Sequence, residues 1–595
     1  MSVEKIYSDN INQLKEELSD LKKRSNIWSY IRIIVFIGGF TVITILSGKL
    51  DVEYLILTTV LIFILLILSV LRHLNISHKI DSTKKLILIN SNEINVINQK
   101  ANIYSSGKSF AVEFSEISND LDLFGSNSVF HMINRASTYF GNNILKNFFT
   151  NFTQAEQITE RQKAVSELSD KQEWRQSFQK ELIDISPENA YRKLTDFVES
   201  KSFIENNNAR FNIYLFQNIV VLSIFIASLF FFSKYSFLLF MIIFMVNSAI
   251  SLRYYKRTNE IHQMVSDNAK DLFAFSKALD LLEKQNWESD LLKSLVKEND
   301  LFSVQILNLK KLIQLFDYRL NMVVGTILNI FLLWDFRIIK KLDIWKRSNT
   351  DIEKHLKIIG EFEALNSFAT LKYNNPGLCY AKISDKEFEL NASNMFHPLI
   401  AKNEVISNSY DFSGTSRLDI ITGPNMSGKS TFLRSVAINM ILAGAGSVVF
   451  ADKFVFTPSK VLTYLHITDS IKDKISTFRA EIIKLKSILE QIKSSDVPTF
   501  FILDEILRGT NSHSKFKGSV AIVKRLLELK SSGIIATHDV KLGEMEEDYR
   551  DHIRNFSFDF IVDKNDELVY DYKLKKGINT KVNAEIVLKE LGLVL

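Results

Sequence analysis

Asp419-Ile-Ile-Thr-Gly-Pro-Asn-Met-Ser-Gly-Lys-Ser-Thr431 decides how the C-terminal part of this chain folds. An apolar strand pattern ends at Thr422, and Gly423, Gly428, Lys429 and Ser430 follow at the G-x-x-x-x-G-K-[ST] spacing of a phosphate-binding loop. From Thr431 the pattern turns helical, through Phe432, Val436, Ile438, Met440 and Ile441. Strand, glycine-rich turn and helix in that order is the context the motif requires. The candidate nucleotide site is therefore Gly423, Pro424, Asn425, Met426, Ser427, Gly428, Lys429, Ser430 and Thr431. Backbone N–H groups of such a turn and of the helix start converge on phosphate oxygens. Lys429 brings a point charge to the β- and γ-phosphates of ATP, and the Ser430 hydroxyl is a ligand for Mg²⁺.

About 75 residues beyond the loop, Thr499-Phe-Phe-Ile-Leu-Asp504-Glu505 is an apolar strand ending in two carboxylates. Asp504 is placed to hold Mg²⁺ together with Ser430. Glu505 is placed to polarise an attacking water as general base. A further strand, Gly533-Ile-Ile-Ala-Thr537, ends at His538, which can report on the γ-phosphate or the same water. Leu418–Thr422, Val448–Phe450, Thr499–Leu503 and Gly533–Ala536 read as strands of one sheet with crossover helices, an α/β domain.

Working outward, 595 residues exceed a single core. Six prolines and 20 glycines against many Leu, Ile, Lys and Glu favour long helices over an all-β design. A net charge of +5 singles out no partner at this size. One cysteine, Cys379, excludes an internal disulfide framework and suits a reducing compartment.

Two apolar hairpins stand out: Tyr30–Leu46 with Tyr54–Leu71, and Ile213–Phe232 with Tyr235–Leu252. Each segment has about 17 to 20 residues, enough to cross a hydrocarbon layer. Trp28, Tyr30, Tyr54, Tyr235, Tyr254 and Tyr255 sit at their ends as an interfacial belt would, and cations such as Lys22, Lys23, Arg24, Arg72, Arg253 and Arg257 flank their outer sides. The expectation is a multi-pass protein of the cytoplasmic membrane with four spans and the C-terminal domain facing the cytoplasm. Asn321–Trp334 is shorter and reads as a packed core helix. Tyr7, Ile11, Leu14, Leu18 and Leu21 follow a coiled-coil rhythm that suits a surface helix or self-association equally well.

In order, the chain divides into a polar helix at 1–27, a hairpin at 28–72, a helical region at 81–212, a second hairpin at 213–252, long helices at 253–375, and the nucleotide-binding domain at 378–595. Thr159 is a plausible N-cap, and Asn374-Asn-Pro-Gly377 is the clearest domain boundary.

Thr422–Arg434 resembles the hallmark of the MutS DNA mismatch-repair ATPases, members of the ABC-type ATPase class. The resemblance continues with Ser476-Thr-Phe478, Glu481, Asp504–Thr510, Ala536-Thr-His538 and the Gly577 to Gly592 tail. Upstream, Asp120–Gly125, Glu160-Arg-Gln162, Phe362–Leu365 and His397-Pro-Leu399 are similar to that family's core helices and to the start of its ATPase domain. The resemblance implies an ABC-type ATPase domain preceded by an all-α core and lever region, with ATP and Mg²⁺ as cofactors. It implies a homodimer in which Ser476 reaches the partner's γ-phosphate, and double-stranded DNA as a partner. Leu507 stands where the family usually has glycine. The mismatch-reading domain with its Phe-x-Glu wedge has no counterpart, since Phe197–Glu199 lies in the helical region. The expected function is a membrane-anchored, MutS-like ATPase that switches a dimer and acts on DNA. The competing expectations are an ABC-like membrane ATPase and an ATP-gated scaffold without DNA.

Overall fold

The computed structural model describes residues 2–47, 51–185, 196–200, 208–230, 235–266, 269–298, 302–348, 351–401, 403–465, 477–509, 511–562 and 568–578. The chain forms two units, Met1–Tyr104 with Lys171–Ile183, and Ser105–Asp170 with Asp184–Leu595.

The first unit is built on two long helices, α1 (Val3–Leu46) and α2 (Val52–Ile97). Ser2 caps α1 by accepting from the Lys5 amide, and at 1.5 Å per residue α1 is about 66 Å long. The polar stretch 1–27 and the first apolar segment are thus one uninterrupted helix. The helices run antiparallel: Asn98 Nδ2 donates to Glu4 Oε1 (2.9 Å), and Asn10 Nδ2 to Asn90 Oδ1 (3.5 Å). Tyr7, Ile11 and Leu21 are buried, so the coiled-coil rhythm is satisfied inside the chain. The Gly38-Gly39 pair does not break α1; a Cβ on Gly39 would lie 2.5 Å from Ile62 Cγ2, so glycine permits the close crossing. Between Ile27 and Leu74 the pattern inverts, and Ile34, Phe36, Leu57 and Phe63 are more than 60% exposed. Hydroxyls in that stretch donate to their own helix, as Thr41 to Ile37 O and Thr59 to Leu55 O, which is how they are satisfied without water.

In the second unit the helical part contains α3 (Ser115–Leu121), α4 (Tyr139–Thr150), α5 (Ala155–Asp170), α6 (Asn208–Phe230), α7 (Tyr235–Ser266), α8 (Met322–Leu332), α9 (Trp334–Ser348) and α10 (Ile352–Asn374). α10 is its axis, ending where the Asn374–Gly377 turn was expected. α10 and α4 cross closely: a Cβ on Gly360 would meet Phe140 Cβ at 2.6 Å. At the crossing the buried Glu363 carboxylate accepts from the Ser137 amide (2.8 Å), the Thr138 amide and the Thr138 hydroxyl, closing the N-terminus of α4. Burial pushes its pKa up to about 7 against those hydrogen bonds.

Several expectations are corrected here. Thr159 is inside α5, its hydroxyl donating to Ala155 O, because the helix starts a turn earlier. Phe197 needs no correction: buried and stacked on Trp345, it is a packing residue of the helical region. Of the four spans expected, two are supported among the described residues: α1 and α2 are long and apolar enough to cross a membrane, and a third would need the bent pair Asp290–Leu320 and Met322–Leu332 to be one span. The segment around Asn321–Trp334 is not a core helix either. Gly325 is the buried residue of α8, while Met322, Val323 and Ile327 are more than half exposed.

The C-terminal domain is a six-stranded sheet made of β1 (Leu418–Thr422), β2 (Lys460–Tyr464), β3 (Thr499–Asp504), β4 (Ser532–Thr537), β5 (Ile553–Ser557) and β6 (Lys575–Lys576), in the order β6-β5-β1-β4-β3-β2. All neighbours are parallel except β6 on β5. Both faces are covered, so β1 is buried throughout; Asp419 is tolerated there because Arg554 and the Tyr410 hydroxyl satisfy it (both 2.7 Å). α11 (Lys429–Ala445), α12 (Thr477–Ser494) and α13 (Ser512–Glu528) are the crossover helices. Val448–Phe450 is not a strand of this sheet: Val448–Val449 pairs with Cys379–Tyr380, and β2 takes the edge beside β3.

Candidate nucleotide-binding site

Parallel pairing aligns the C-terminal ends of β1, β4 and β3. Thr422 is level with Thr537, and Ala536 with Asp504. The loop after β1, the carboxylates after β3 and His538 after β4 therefore meet at one edge of the sheet, where open α/β sheets hold their ligands.

The loop needs its glycines. Gly423 has φ 154°, where a Cβ would lie 2.7 Å from Phe558 O, and Gly428 has φ 101°. Met426 adopts φ 64° with its side chain exposed, Asn425 is exposed as well, and Ser427 Oγ donates to Pro424 O (2.9 Å). α11 begins at Lys429, two residues before the expected Thr431. Lys429 is buried, and its Nζ donates to Gly423 O and Pro424 O (2.7 Å each). Burial lowers its pKa, opposed by Glu505 and Asp504.

Ser430 Oγ donates to Asp504 Oδ2 at 2.5 Å, joining loop and strand end across 74 residues. Asp504 is 3% exposed, and burial raises its pKa. Its Oδ1 is buried without a hydrogen-bond partner. An all-oxygen donor pair of hydroxyl and carboxylate, one atom unspent, fits a hard divalent cation such as Mg²⁺.

Glu505 has φ 48°, and its amide donates to Ala536 O (2.9 Å). The His538 imidazole beside it (Nδ1 to Oε1, 3.6 Å), then Arg508 and Lys429, hold its carboxyl down at about 2 despite desolvation. Arg508 Nε lies 3.3 Å from Glu505 Oε2. Leu507, standing where glycine is usual in the resembled family, has φ 59°. The departure is accommodated by burial of its side chain in the domain core.

Two groups of residues had no role assigned from the sequence, although Glu481 and His397 were among those carrying the resemblance. Glu481 on α12 is buried, and its carboxylate accepts from the amides of Arg508 (3.2 Å) and Gly509 (3.4 Å), fixing the turn after Glu505. Beside Gly428 a cavity of about 280 Å³ is lined by His397, Val405, Ile406, Thr431, Phe432 and Tyr572, among others. Asn408 clamps it by donating to Tyr572 O (3.0 Å) and accepting from the Leu574 amide (2.8 Å). Burial, then Arg434, lower the pKa of His397 to about 4, so its imidazole is neutral, and Glu404 lines the same cavity. The cavity, of mixed polar and apolar lining, opens next to the phosphate loop. His397-Pro398 was the one local signal of this wall; Ile406 and Tyr572 carried none. Ser476 and the tail beyond Ile578 lie outside the described residues.

Fold and site together define a P-loop nucleotide-binding domain. Residues 419–590 match the family model MutS domain V. The chain is similar to the DNA mismatch repair protein MutS of Ehrlichia ruminantium (strain Gardel), 35% identical over 205 residues, which is 33% of this chain and 24% of that protein. It is also 33% identical over 198 residues to MutS protein homolog 4 of Homo sapiens, 32% of this chain and 21% of that protein. The chain thus spans about a quarter of the length of the curated relatives it matches.

Proposed function

We propose that the chain is an ATPase of the MutS type, held at a membrane, which binds and hydrolyses ATP to switch a homodimer that acts on double-stranded DNA. The observation that carries the catalytic reading is the Ser430–Asp504 contact, with Glu505 and His538 at the same sheet edge. ATP would lie with its phosphates on the loop and its base in the cavity between Ile406 and Tyr572. Ser430 and Asp504 would hold Mg²⁺, which supplies charge neutralisation for the phosphates when bound. Lys429 leaves its loop carbonyls for the β- and γ-phosphates. Glu505, kept ionised, takes the proton from water as it attacks phosphorus, and His538 orients that water. Ser476 of the partner subunit is the expected contact in trans, which would let ATP favour one dimer geometry and hydrolysis release it.

The membrane reading is supported by the outward apolar band of α1 and α2. We place the cytoplasmic face on the side of both termini by the excess of Lys and Arg there. The DNA reading rests on the relatives' printed names and on the family resemblance.

Purified protein is tested for ATP hydrolysis and for duplex binding with and without ATP across a salt series. Phosphate contacts predict affinity that falls steeply with salt. Hydrolysis without measurable duplex binding would leave the ATPase standing and remove DNA from the reading.

A further inference from the structure

α6, α7 and α8 pack on one another, and each leaves large apolar side chains outside. Phe216 and Ile219 on α6, Leu238 and Met245 on α7, and Val323 and Ile327 on α8 are all at least 49% exposed. Three-helix groups of soluble domains do not leave such a surface to water.

The interior of this group is finished as a low-dielectric site demands. Three of the last carbonyls of α8 accept from side chains: Ile330 O from the buried Asn247, Phe331 O from the buried Asn218 (3.0 Å), and Leu332 O from Arg337 (2.7 Å). Helix ends otherwise hand these groups to water. The remaining polar contacts gather at one end. Lys340 reaches Asn212 (2.8 Å), while Arg319 reaches Thr258, Asn259 and Asp335. Beside that end Tyr255 and Tyr318 are exposed, as are Arg253, Lys256 and Arg257. Apolar outside, aromatic and cationic at one rim, is the order in which a bilayer presents acyl chains and anionic headgroups.

α8 is 11 residues long, about 16 Å, and the chain bends by 107° as it enters it. Alone it is too short to cross a bilayer. We infer that the outer face of α6, α7 and α8 is a second membrane-contacting surface. It seats in the acyl region, with Arg253, Lys256 and Arg257 at the headgroups. The inference rests on the proposed membrane reading of α1 and α2, and extends it to the part of the chain where the second pair of spans had been expected.

The test uses the full chain with Cys379→Ser, carrying one new cysteine at a time: Val323→Cys on α8, Phe36→Cys on α1, and Lys524→Cys on α13. Each is labelled with a fluorophore in vesicles of phosphatidylcholine and phosphatidylglycerol, and quenching by nitroxide-labelled lipids is compared with quenching by a water-soluble nitroxide. Label at Val323 and Phe36 should be quenched several-fold more by the lipid nitroxide than label at Lys524. Quenching at Phe36 alone, with Val323 behaving like Lys524, overturns this inference and leaves the anchor reading intact. Lipid quenching at neither site overturns both. Protection of Val323 from both quenchers would identify a protein occupant and also overturn it.

Discussion

Asp120, fully buried at the end of α3, receives Lys484 Nζ from α12 at 2.9 Å and the Thr463 hydroxyl from β2 at 2.8 Å. Two residues on, Asp122 takes Arg434 Nη1 from α11 at 2.8 Å. One short segment of the helical part therefore holds both helices that start at the nucleotide site. Removing one partner of a buried pair strands the other charge. Lys484→Met should lower stability by about 3 kcal/mol, and adding Asp120→Asn should restore part of it. Thermal unfolding of the solubilised protein measures both, and equal melting temperatures for wild type and Lys484→Met would refute the coupling.

Lys429→Ala should abolish nucleotide binding, because no other cation faces the β- and γ-phosphates from inside the loop. Glu505→Gln should bind ATP normally and hydrolyse it about 10² to 10⁴-fold more slowly, the range of general-base catalysis. Equilibrium binding beside single-turnover hydrolysis separates the two. Unchanged hydrolysis in Glu505→Gln would remove that glutamate from its role.

Glu481 touches neither loop nor phosphate site directly; it holds the Arg508 and Gly509 amides. Glu481→Ala should leave ATP affinity near wild type and lower kcat by about tenfold to a hundredfold, through misplacement of Glu505. A matching loss of affinity would show that the turn does more than aim the base.

Glu363 makes stability depend on pH. Its folded pKa, about 7, lies above the ordinary glutamate value of 4.5, so the folded state holds this proton more tightly than the unfolded chain. Its contribution is complete below about pH 4.5 and is lost as pH rises through about 7, some 3 kcal/mol in total for a shift of this size. Glu363→Gln should flatten that part of the stability–pH curve, measured by denaturant unfolding at stepped pH.

Gly360→Ala puts a methyl group against Phe140 and the Gly141 amide at the α4–α10 crossing. Overpacking of this kind costs roughly 1–3 kcal/mol, against a small gain in helix propensity. The melting temperature should fall, and a rise would mean that the helices slide apart freely.

The loop from Gly423 to Thr431, the carboxylates of Asp504 and Glu505, His538, and the strands β1, β3 and β4 were legible in the sequence. Each is written in a short contiguous pattern whose chemistry is local: glycines for positive φ, a lysine and a hydroxyl for phosphate and metal, an apolar run ending in acid. The long helices were legible too, since their spacing and the scarcity of Pro and Gly act residue by residue.

Tertiary structure alone decided what depends on distant segments meeting. Asp120 and Lys484 are 364 residues apart, Ile406 and Tyr572 form one wall from separate loops, and Glu481 finds its amide partners only once α12 packs beside β3. The choice of β2 over Val448–Phe450 as the sheet's edge is likewise a matter of pairing, to which propensity is blind. The same holds for the apolar segments. A helix for a protein core and a helix for an acyl layer carry the same side chains, so hydrophobicity named α8 without saying which way it faces. Only the packing of α6 and α7 against it, leaving Val323 and Ile327 outside, separates the two.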